Sequence, residues 1–298
     1  MASKLGLSLL AAASLAAAQS CPLQFEGRIP ADATPESFDA STSLFNTDYN
    51  KGADLKWSDI IVFPETEPSL KQPPSNPPQF DQATGTLPFE ITISDASIFA
   101  PSPDNVQTGF RRAELLPMSN DGTDPSTSGL KTLHFSLQKD IARPFNLSHE
   151  YQLVFVESAD FSTNQFALKT GTILGGDAAA EPDRLVLQSN VASPTELFAA
   201  PFEEGVWHNF GLVLDFDENT TQVLYSTGTD PLAPVSEAVA NDLSGKGQYH
   251  FGILKKPTGE FDDITKEGEQ ESGIDEGIIF GGIFMEDSSS GDCVSSEP

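Results

Sequence analysis

Gln107-Thr-Gly-Phe-Arg-Arg-Ala-Glu-Leu-Leu-Pro117 is the stretch of this 298-residue sequence that indicates its fold most directly. Side chains alternate between the two faces of a β-strand, so Arg112 and Glu114 share one face while Ala113 and Leu115 point the other way. A charged pair on one face and apolar residues on the other predict a strand between a core and a polar cleft. The alternative is that Arg112 and Glu114 form only a surface ion pair, which adds little to stability.

Short apolar or alternating runs recur along the rest of the chain, and each of them predicts a further β-strand. These runs are residues 89–94, 131–137, 151–156, 164–169, 184–188, 210–216, 221–226, 249–254 and 277–284. Turn residues separate them, and the mature part offers only two short helix predictions, at Trp57–Ile61 and Ser236–Leu243. The pattern predicts an all-β fold, a β-sandwich or jelly roll with a polar cleft on one sheet.

The N-terminal residues are typical of a secretory signal peptide. Lys4 supplies the positive charge, the apolar run Leu5–Ala18 is too short to span a membrane comfortably, and small residues precede a cleavage site after Ala18. We therefore expect residues 1–18 to be removed and residues 19–298 to form a single secreted domain. No second long apolar run follows, so we predict no membrane anchor. The proline-rich stretch Pro64–Pro88 is interpreted as an ordered surface loop.

Two cysteines and two sequons are also consistent with a secreted protein. An even cysteine count in an oxidising environment favours pairing, so we predict a disulfide between Cys21 and Cys293 that holds both termini at one edge. Asn146 in Asn-Leu-Ser and Asn219 in Asn-Thr-Thr are predicted N-glycosylation sites.

The charge balance limits the partners. The chain has 16 basic and 44 acidic residues, a formal net charge of −28. Nucleic acids and anionic membrane surfaces require basic patches, and polyanionic polysaccharides would be repelled, whereas a neutral polymer is compatible. Zinc, phosphate-loop and serine-hydrolase motifs are absent from the sequence, so we predict no metal and no cofactor. We expect a monomer.

Two glutamates are the best candidates for catalysis because they are embedded in strand patterns. Hydrolysis of a glycosidic bond needs one group to protonate the leaving oxygen and a second to act as base or nucleophile. Glu114 lies on the charged face of its strand, and Glu157 stands at a strand end, where a side chain can emerge over a cleft. Arg112 would keep a neighbouring carboxylate ionised.

Other polar groups occur at strand spacing. Gln152 is on the strand that ends at Glu157, and Gln165 and Lys169 share a face of the following strand. His250 alternates with Tyr249 and Phe251, and its face includes Gly252, which leaves room for a ligand to approach. His208 begins another strand. Each of these side chains also has an ordinary structural interpretation, as a solvated residue, an ion-pair partner or a satisfied core histidine.

Six segments follow one another along the chain: Cys21–Pro30, Gln107–Pro117, His149–Phe155, Phe161–Phe166, Gly205–Phe210 and His250–Pro257. Taken together they resemble fungal glycoside hydrolase family 131, and the resemblance extends over essentially the whole mature chain. The resemblance implies a β-jelly roll with a broad open cleft on the concave sheet, and action on β-glucans with β-1,3, β-1,4 or β-1,6 linkages. It also implies two glutamates and a histidine in the cleft.

Residue by residue, the resemblance assigns Glu114 as one glutamate and Glu157 as the second, with Glu150 in reserve. The strand faces favour His250 over His208 as the histidine. Arg112, Gln152, Gln165, Lys169 and His208 are the predicted substrate-binding residues.

Two alternatives remain open at this point. One is a non-catalytic β-glucan-binding lectin on the same fold. The other is a polysaccharide lyase, because Arg112–Leu115 and Gln248–Leu254 are also similar to strands of alginate-lyase-type jelly rolls. Leu254 stands where such a lyase would carry a tyrosine, which argues against lyase chemistry.

Overall fold

The computed structural model describes residues 21–63, 77–120, 124–177, 179–289 and 293–296. Within these ranges the chain consists mainly of antiparallel β-strands in two sheets. The strands are β1 (Leu23–Glu26), β2 (Ile61–Val62), β3 (Phe89–Ser94), β4 (Arg111–Leu115), β5 (Leu130–Lys139), β6 (Glu150–Glu157), β7 (Asn164–Gly171), β8 (Arg184–Gln188), β9 (Glu196–Pro201), β10 (His208–Asp215), β11 (Thr220–Thr227), β12 (Ala233–Pro234), β13 (Val239–Ala240), β14 (Gln248–Lys255) and β15 (Asp275–Asp287). Helical structure is limited to α1 (Gln79–Thr84) and the 3₁₀ turns Pro35–Phe38, Trp57–Asp59 and Pro125–Thr127.

The two sheets differ in size. The larger one has the order β12-β11-β10-β5-β15-β3-β2, with β1 paired to β15 and β13 paired to β11. The smaller one has the order β4-β14-β6-β7-β8-β9. Neighbours in space are often distant in sequence, as in a jelly roll, and the predicted all-β sandwich is confirmed.

The core lies between the sheets and is rich in phenylalanine. Phe135 of β5 stacks on Phe210 of β10 at 5.1 Å between ring centroids, and it meets Phe251 of β14 edge-on at 6.4 Å across the two sheets. Ala113 and Leu115 of β4 are completely buried on the same side. Because side chains alternate along β4, Arg112 and Glu114 must therefore project from the opposite face of the smaller sheet.

The two helix predictions had different outcomes. Residues 57–59 do form a 3₁₀ turn, but the helix predicted at Ser236–Leu243 is wrong. Val239 and Ala240 pair instead with β11, because the backbone of this segment finds partners at the sheet edge. The helix α1 was not predicted. It follows Pro78 and ends at Gly85, which adopts a left-handed backbone with φ of 70°.

The predicted disulfide between Cys21 and Cys293 is confirmed, and it joins residues 272 positions apart. The predicted signal peptide lies outside the described residues, as do residues 64–76 of the proline-rich stretch. None of the described helices has the length and apolar character needed to cross a membrane. Asn146 is exposed before β6, and Asn219 is half-buried in the turn between β10 and β11. Their glycosylation stays a prediction.

Candidate active site

A cavity of about 700 Å³ opens on the outer face of the smaller sheet, away from the core. Residues of β4, β14, β6 and β7 line it, together with loop residues from 49–50 and 99–110. Its walls combine aromatic side chains with polar ones: Tyr49, Phe99, Phe110, Phe155 and Phe161, and Asn50, Asn105, Gln107, Arg112, Glu157, Asn164 and Gln248. Apolar walls with a few polar groups are typical of a ligand site.

Glu114 lies beneath this cavity, completely buried, with its carboxylate held by Arg112. Arg112 donates from Nε to Oε1 at 2.8 Å and from Nη2 to Oε2 at 2.6 Å. Burial by itself raises the pKa of Glu114, but the charge of Arg112 and the hydrogen bond with His250 outweigh it, so that pKa is lowered. Glu114 is therefore an ionised carboxylate with no exposed surface.

His250 is the second neighbour of Glu114 and is also fully buried. Its Nδ1 lies 2.8 Å from Oε2 of Glu114, and its ring stacks on Phe155 at 4.3 Å between centroids. Since an ionised carboxylate can only accept, Nδ1 carries a hydrogen and donates it to Glu114. The Nδ2 atom of Asn50 lies 3.1 Å from the same nitrogen. With the side-chain amide of Asn50 in the flipped orientation, its oxygen would face the N–H of His250 Nδ1 and act as a second acceptor.

Glu157 completes a row of three ionisable side chains. It ends β6 and lines the cavity, and 27% of its side chain is exposed. Its Oε2 lies 3.6 Å from Nε2 of His250, which has no hydrogen-bond partner within the described ranges. The row thus runs from the buried Glu114 through the imidazole of His250 to Glu157 at the cavity wall.

Gly252 has a different role from the one predicted. It pairs with Glu114 in the β4–β14 ladder, and a Cβ at this position would lie 2.1 Å from the backbone oxygen of Ala113. The space beside Gly252 is therefore filled by the neighbouring strand, and it offers no room for a ligand. The glycine allows β4 to approach β14 closely, which brings Glu114 within reach of His250.

A second buried polar network crosses β6 and β7. Gln152 accepts a hydrogen bond from Asn164 at 2.9 Å and donates to Glu150 at 3.3 Å. Glu150 also lies 3.2 Å from Nζ of Lys169 and 2.7 Å from Nζ of Lys256. Burial raises the pKa of Glu150, but the two lysines outweigh this and lower it. Glu150, the reserve glutamate, is thus an ionised partner of two lysines, and Asn164 connects this network to the cavity wall.

Of the five predicted substrate-binding residues, Arg112 lines the cavity, Gln152 and Lys169 belong to the buried network, and His208 and Gln165 lie elsewhere. His208 belongs to β10 of the larger sheet, where it shares the core-facing side with Phe210 and contacts the Tyr225 hydroxyl at 2.7 Å. Burial lowers its pKa to about 4. Gln165 is completely buried and donates to the backbone oxygen of Lys246. Neither residue is among those that line the cavity.

Asn50, Gln107 and Asn164 line the cavity but were not predicted as site residues. Gln107 accepts a hydrogen bond from Nη1 of Arg112 at 3.1 Å. It precedes the predicted strand, so alternation along the strand could not predict the direction of its side chain. Asn50 adopts a left-handed backbone with φ of 58°, which asparagine tolerates better than most residues. Asn164 began a predicted strand. No metal site built from three or more His, Cys, Asp or Glu side chains occurs in the part of the chain described.

A polar cleft with a carboxyl group, built across a β-sandwich, fits a carbohydrate-active enzyme. The model of the glycoside hydrolase 131 catalytic N-terminal domain matches residues 23–291. The chain belongs to glycoside hydrolase family 131, as the resemblance implied, and it is a glycoside hydrolase.

Two solved structures have the same fold. One is the catalytic domain of the family 131 protein from Coprinopsis cinerea, with a TM-score of 0.66 and 20% identity over 93% of this chain and 98% of that one. The other is the catalytic domain of a family 131 β-glucanase from Podospora anserina, with a TM-score of 0.66 and 19% identity over 92% and 98% of the two chains. No curated protein shows a significant match to this chain.

Proposed function

We propose that this protein is a secreted β-glucan hydrolase in which Glu157 acts on the glycosidic bond and His250 is its proton partner. The Podospora relative is a β-glucanase, which supports a β-glucan substrate. The net charge of −28 agrees with a neutral polymer. The linkages proposed are β-1,3, β-1,4 and β-1,6.

The observation that carries this proposal is the row Glu114–His250–Glu157. Glu157 is the member of the row that lines the cavity, whereas Glu114 and His250 have no exposed surface. Glu114 is therefore better placed to position His250 than to touch a sugar. Its carboxylate fixes the imidazole with the hydrogen on Nδ1, which directs Nε2 towards Glu157.

In the proposed reaction, a proton passes from Glu157 to the glycosidic oxygen as the bond from that oxygen to the anomeric carbon breaks. A water molecule adds to the anomeric carbon, and its proton returns to the pair formed by Glu157 and His250. An imidazole takes up and releases a proton readily near neutral pH. The ionised Glu114 stabilises the positive charge on His250 while the ring holds that proton, so the three residues act as one unit.

The test is product analysis on β-1,3-glucan, mixed-linkage β-glucan, cellulose and β-1,6-glucan, comparing wild type with Glu157→Gln. We expect new reducing ends from at least one glucan, and a loss of about a hundredfold or more in the variant, the usual scale for removing a general acid or base. Glu196→Gln is a matched control, because Glu196 is an exposed partner of Arg184 on the outermost strand β9.

Three outcomes would contradict the proposal. Binding of β-glucan by the wild type without release of reducing sugar would indicate a lectin. Unsaturated products from polyuronides would indicate a lyase. Near-normal hydrolysis by Glu157→Gln would remove Glu157 from the reaction while leaving the substrate assignment in place.

A further inference from the structure

Two exposed aromatic side chains stand at the cavity. Among the large apolar residues that are exposed in the described ranges, Tyr49 and Phe161 are the aromatic ones, at 56% and 73% exposed. Both of them line the cavity. Ligand pockets are commonly lined by aromatic side chains, so an exposed phenylalanine ring at this cavity is available to contact a ligand.

The backbone of Phe161 is strained. Its φ of 61° lies in the left-handed region, which is unusual for a bulky residue. Such a conformation is energetically unfavourable for a bulky residue and persists only where the surrounding structure enforces it. Strain of this kind is commonly found at ligand-binding positions, and here it falls on an aromatic residue at the mouth of the cavity.

The turn between β6 and β7 enforces that conformation. The backbone N–H of Phe161 donates to the backbone oxygen of Ser158 at 2.8 Å. Asp160 accepts from the hydroxyl of Ser158 at 2.7 Å, and from the N–H and hydroxyl of Ser162 at 3.1 and 2.7 Å. These bonds lower the pKa of Asp160 to about 2. The turn thus fixes the backbone of Phe161, four residues after Glu157.

We infer that Phe161 is a platform on which one glucosyl unit of the substrate stacks, close to the glycosidic bond whose oxygen Glu157 protonates. This inference rests on the proposed function. A β-linked glucosyl ring presents a broad face of C–H groups, which packs well on an aromatic face. Because the turn has already fixed the backbone of Phe161, binding orders only its side chain, which lowers the entropic cost. Phe161 would therefore determine how the polymer is placed along the cleft.

The experiment measures binding and kinetics separately for Phe161→Ala, Phe161→Trp and Phe161→Gly. Affinity for a β-1,3-glucan hexasaccharide and a mixed-linkage hexasaccharide is measured by calorimetry in the Glu157→Gln background, where turnover does not interfere. Phe161→Ala should bind about tenfold more weakly, as for loss of an aromatic anchor, and Phe161→Trp should bind about as well as the parent. With active enzyme, KM should rise about tenfold in Phe161→Ala, with kcat changed less than twofold.

Phe161→Gly separates strain from packing. Glycine adopts a left-handed backbone without penalty, so this variant should unfold no earlier than wild type and still bind about tenfold more weakly. Val235→Ala is the matched control, since Val235 is an exposed apolar residue beside the larger sheet and does not line the cavity. It should leave affinity, KM and kcat unchanged.

The results distinguish this inference from the proposed function. Wild-type affinity and KM in Phe161→Ala, in an enzyme that hydrolyses β-glucan normally, would overturn the platform and leave the proposed function standing. An equal loss in Phe161→Trp and Phe161→Ala would also overturn it, because a larger aromatic face should preserve stacking. Wild type that neither binds nor cleaves any β-glucan would overturn the proposed function and, with it, the platform.

Discussion

Oε2 of Glu114 and Nδ1 of His250 are joined at 2.8 Å, although 136 residues separate them in the sequence. Both side chains are completely buried, and Arg112 holds the carboxylate from its other side. A buried carboxylate that is paired in this way orients the imidazole and selects its tautomer, much as the aspartate of a catalytic triad does. The contact links β4 to β14 at the point where Gly252 lets the two strands approach.

The first prediction is that Glu114→Gln lowers hydrolysis of β-glucan by at least about a hundredfold. A glutamine amide can donate to Nδ1, which lets His250 take the other tautomer and turns its lone pair away from Glu157. Steady-state assays of purified variants check this, with Glu196→Gln as the control. Near-wild-type turnover at every pH would show that Glu114 has no part in positioning the imidazole.

The second prediction concerns Asn50, whose side chain lies beside Nδ1 of His250 and whose backbone oxygen accepts from the N–H of Glu114. Asn50→Gly keeps the left-handed backbone and removes only the amide, so folding should be preserved and kcat should fall about tenfold. Asn50→Ala loses the same amide but adds backbone strain, and should also lower the unfolding midpoint. Equal unfolding midpoints in the two variants would contradict the strain argument, and unchanged kcat in both would contradict the positioning role.

The third prediction is a pH dependence of stability that originates at Glu90, which is fully buried on β3. Burial, followed by the charge of Asp140, raises its pKa to about 8 despite a bond of 2.9 Å from Arg143. The folded protein therefore retains a proton that the unfolded chain releases near pH 4.5. The stabilisation from this proton is complete below about pH 4.5 and is lost as pH rises towards 8.

Glu90→Gln mimics the protonated acid at every pH. It should raise the unfolding midpoint near pH 8 and leave it little changed near pH 4, since each unit of pKa shift corresponds to about 1.4 kcal/mol. Thermal unfolding at both pH values, with Glu196→Gln as the control, measures this difference. A shift of equal size at pH 4 and pH 8 would show that the effect comes from packing and not from the proton.

The fourth prediction concerns the disulfide that joins Cys21 to Cys293. Chain-entropy arguments give a loop of this length a stabilisation of about 5 to 6 kcal/mol, because the cross-link restricts mainly the unfolded chain. The double variant Cys21→Ser with Cys293→Ser should therefore unfold at a clearly lower denaturant concentration, with catalysis at low temperature retained. Chemical unfolding of oxidised wild type, reduced wild type and the double variant checks this. Coincident curves would contradict a stabilising role.

Residue patterns in the sequence were enough to predict most of the long strands and the faces of their side chains. Alternation in Arg111–Leu115 and in Gln248–Lys255 decided which side chains enter the core, because strand geometry allows each residue only one of two directions. For the same reason, Glu114, Glu157 and His250 could be singled out as polar residues on strands. Resemblance over the whole chain then indicated the family, which no single motif could do.

Which of these residues lie in contact depends on the tertiary structure. Alternation says nothing about which strand lies beside which, and the order β4-β14-β6 brings together residues far apart in the sequence. The tertiary structure places His208 in the larger sheet and fills the space beside Gly252 with β4. It also brings Asn50 from a loop to within reach of His250. The burial of Glu114 and the exposure of Glu157 also depend on the packing around them. A strand pattern predicts the direction of each side chain. Which residues lie close together, how far they are buried and whether a carboxyl group is ionised depend on the packing of the two sheets.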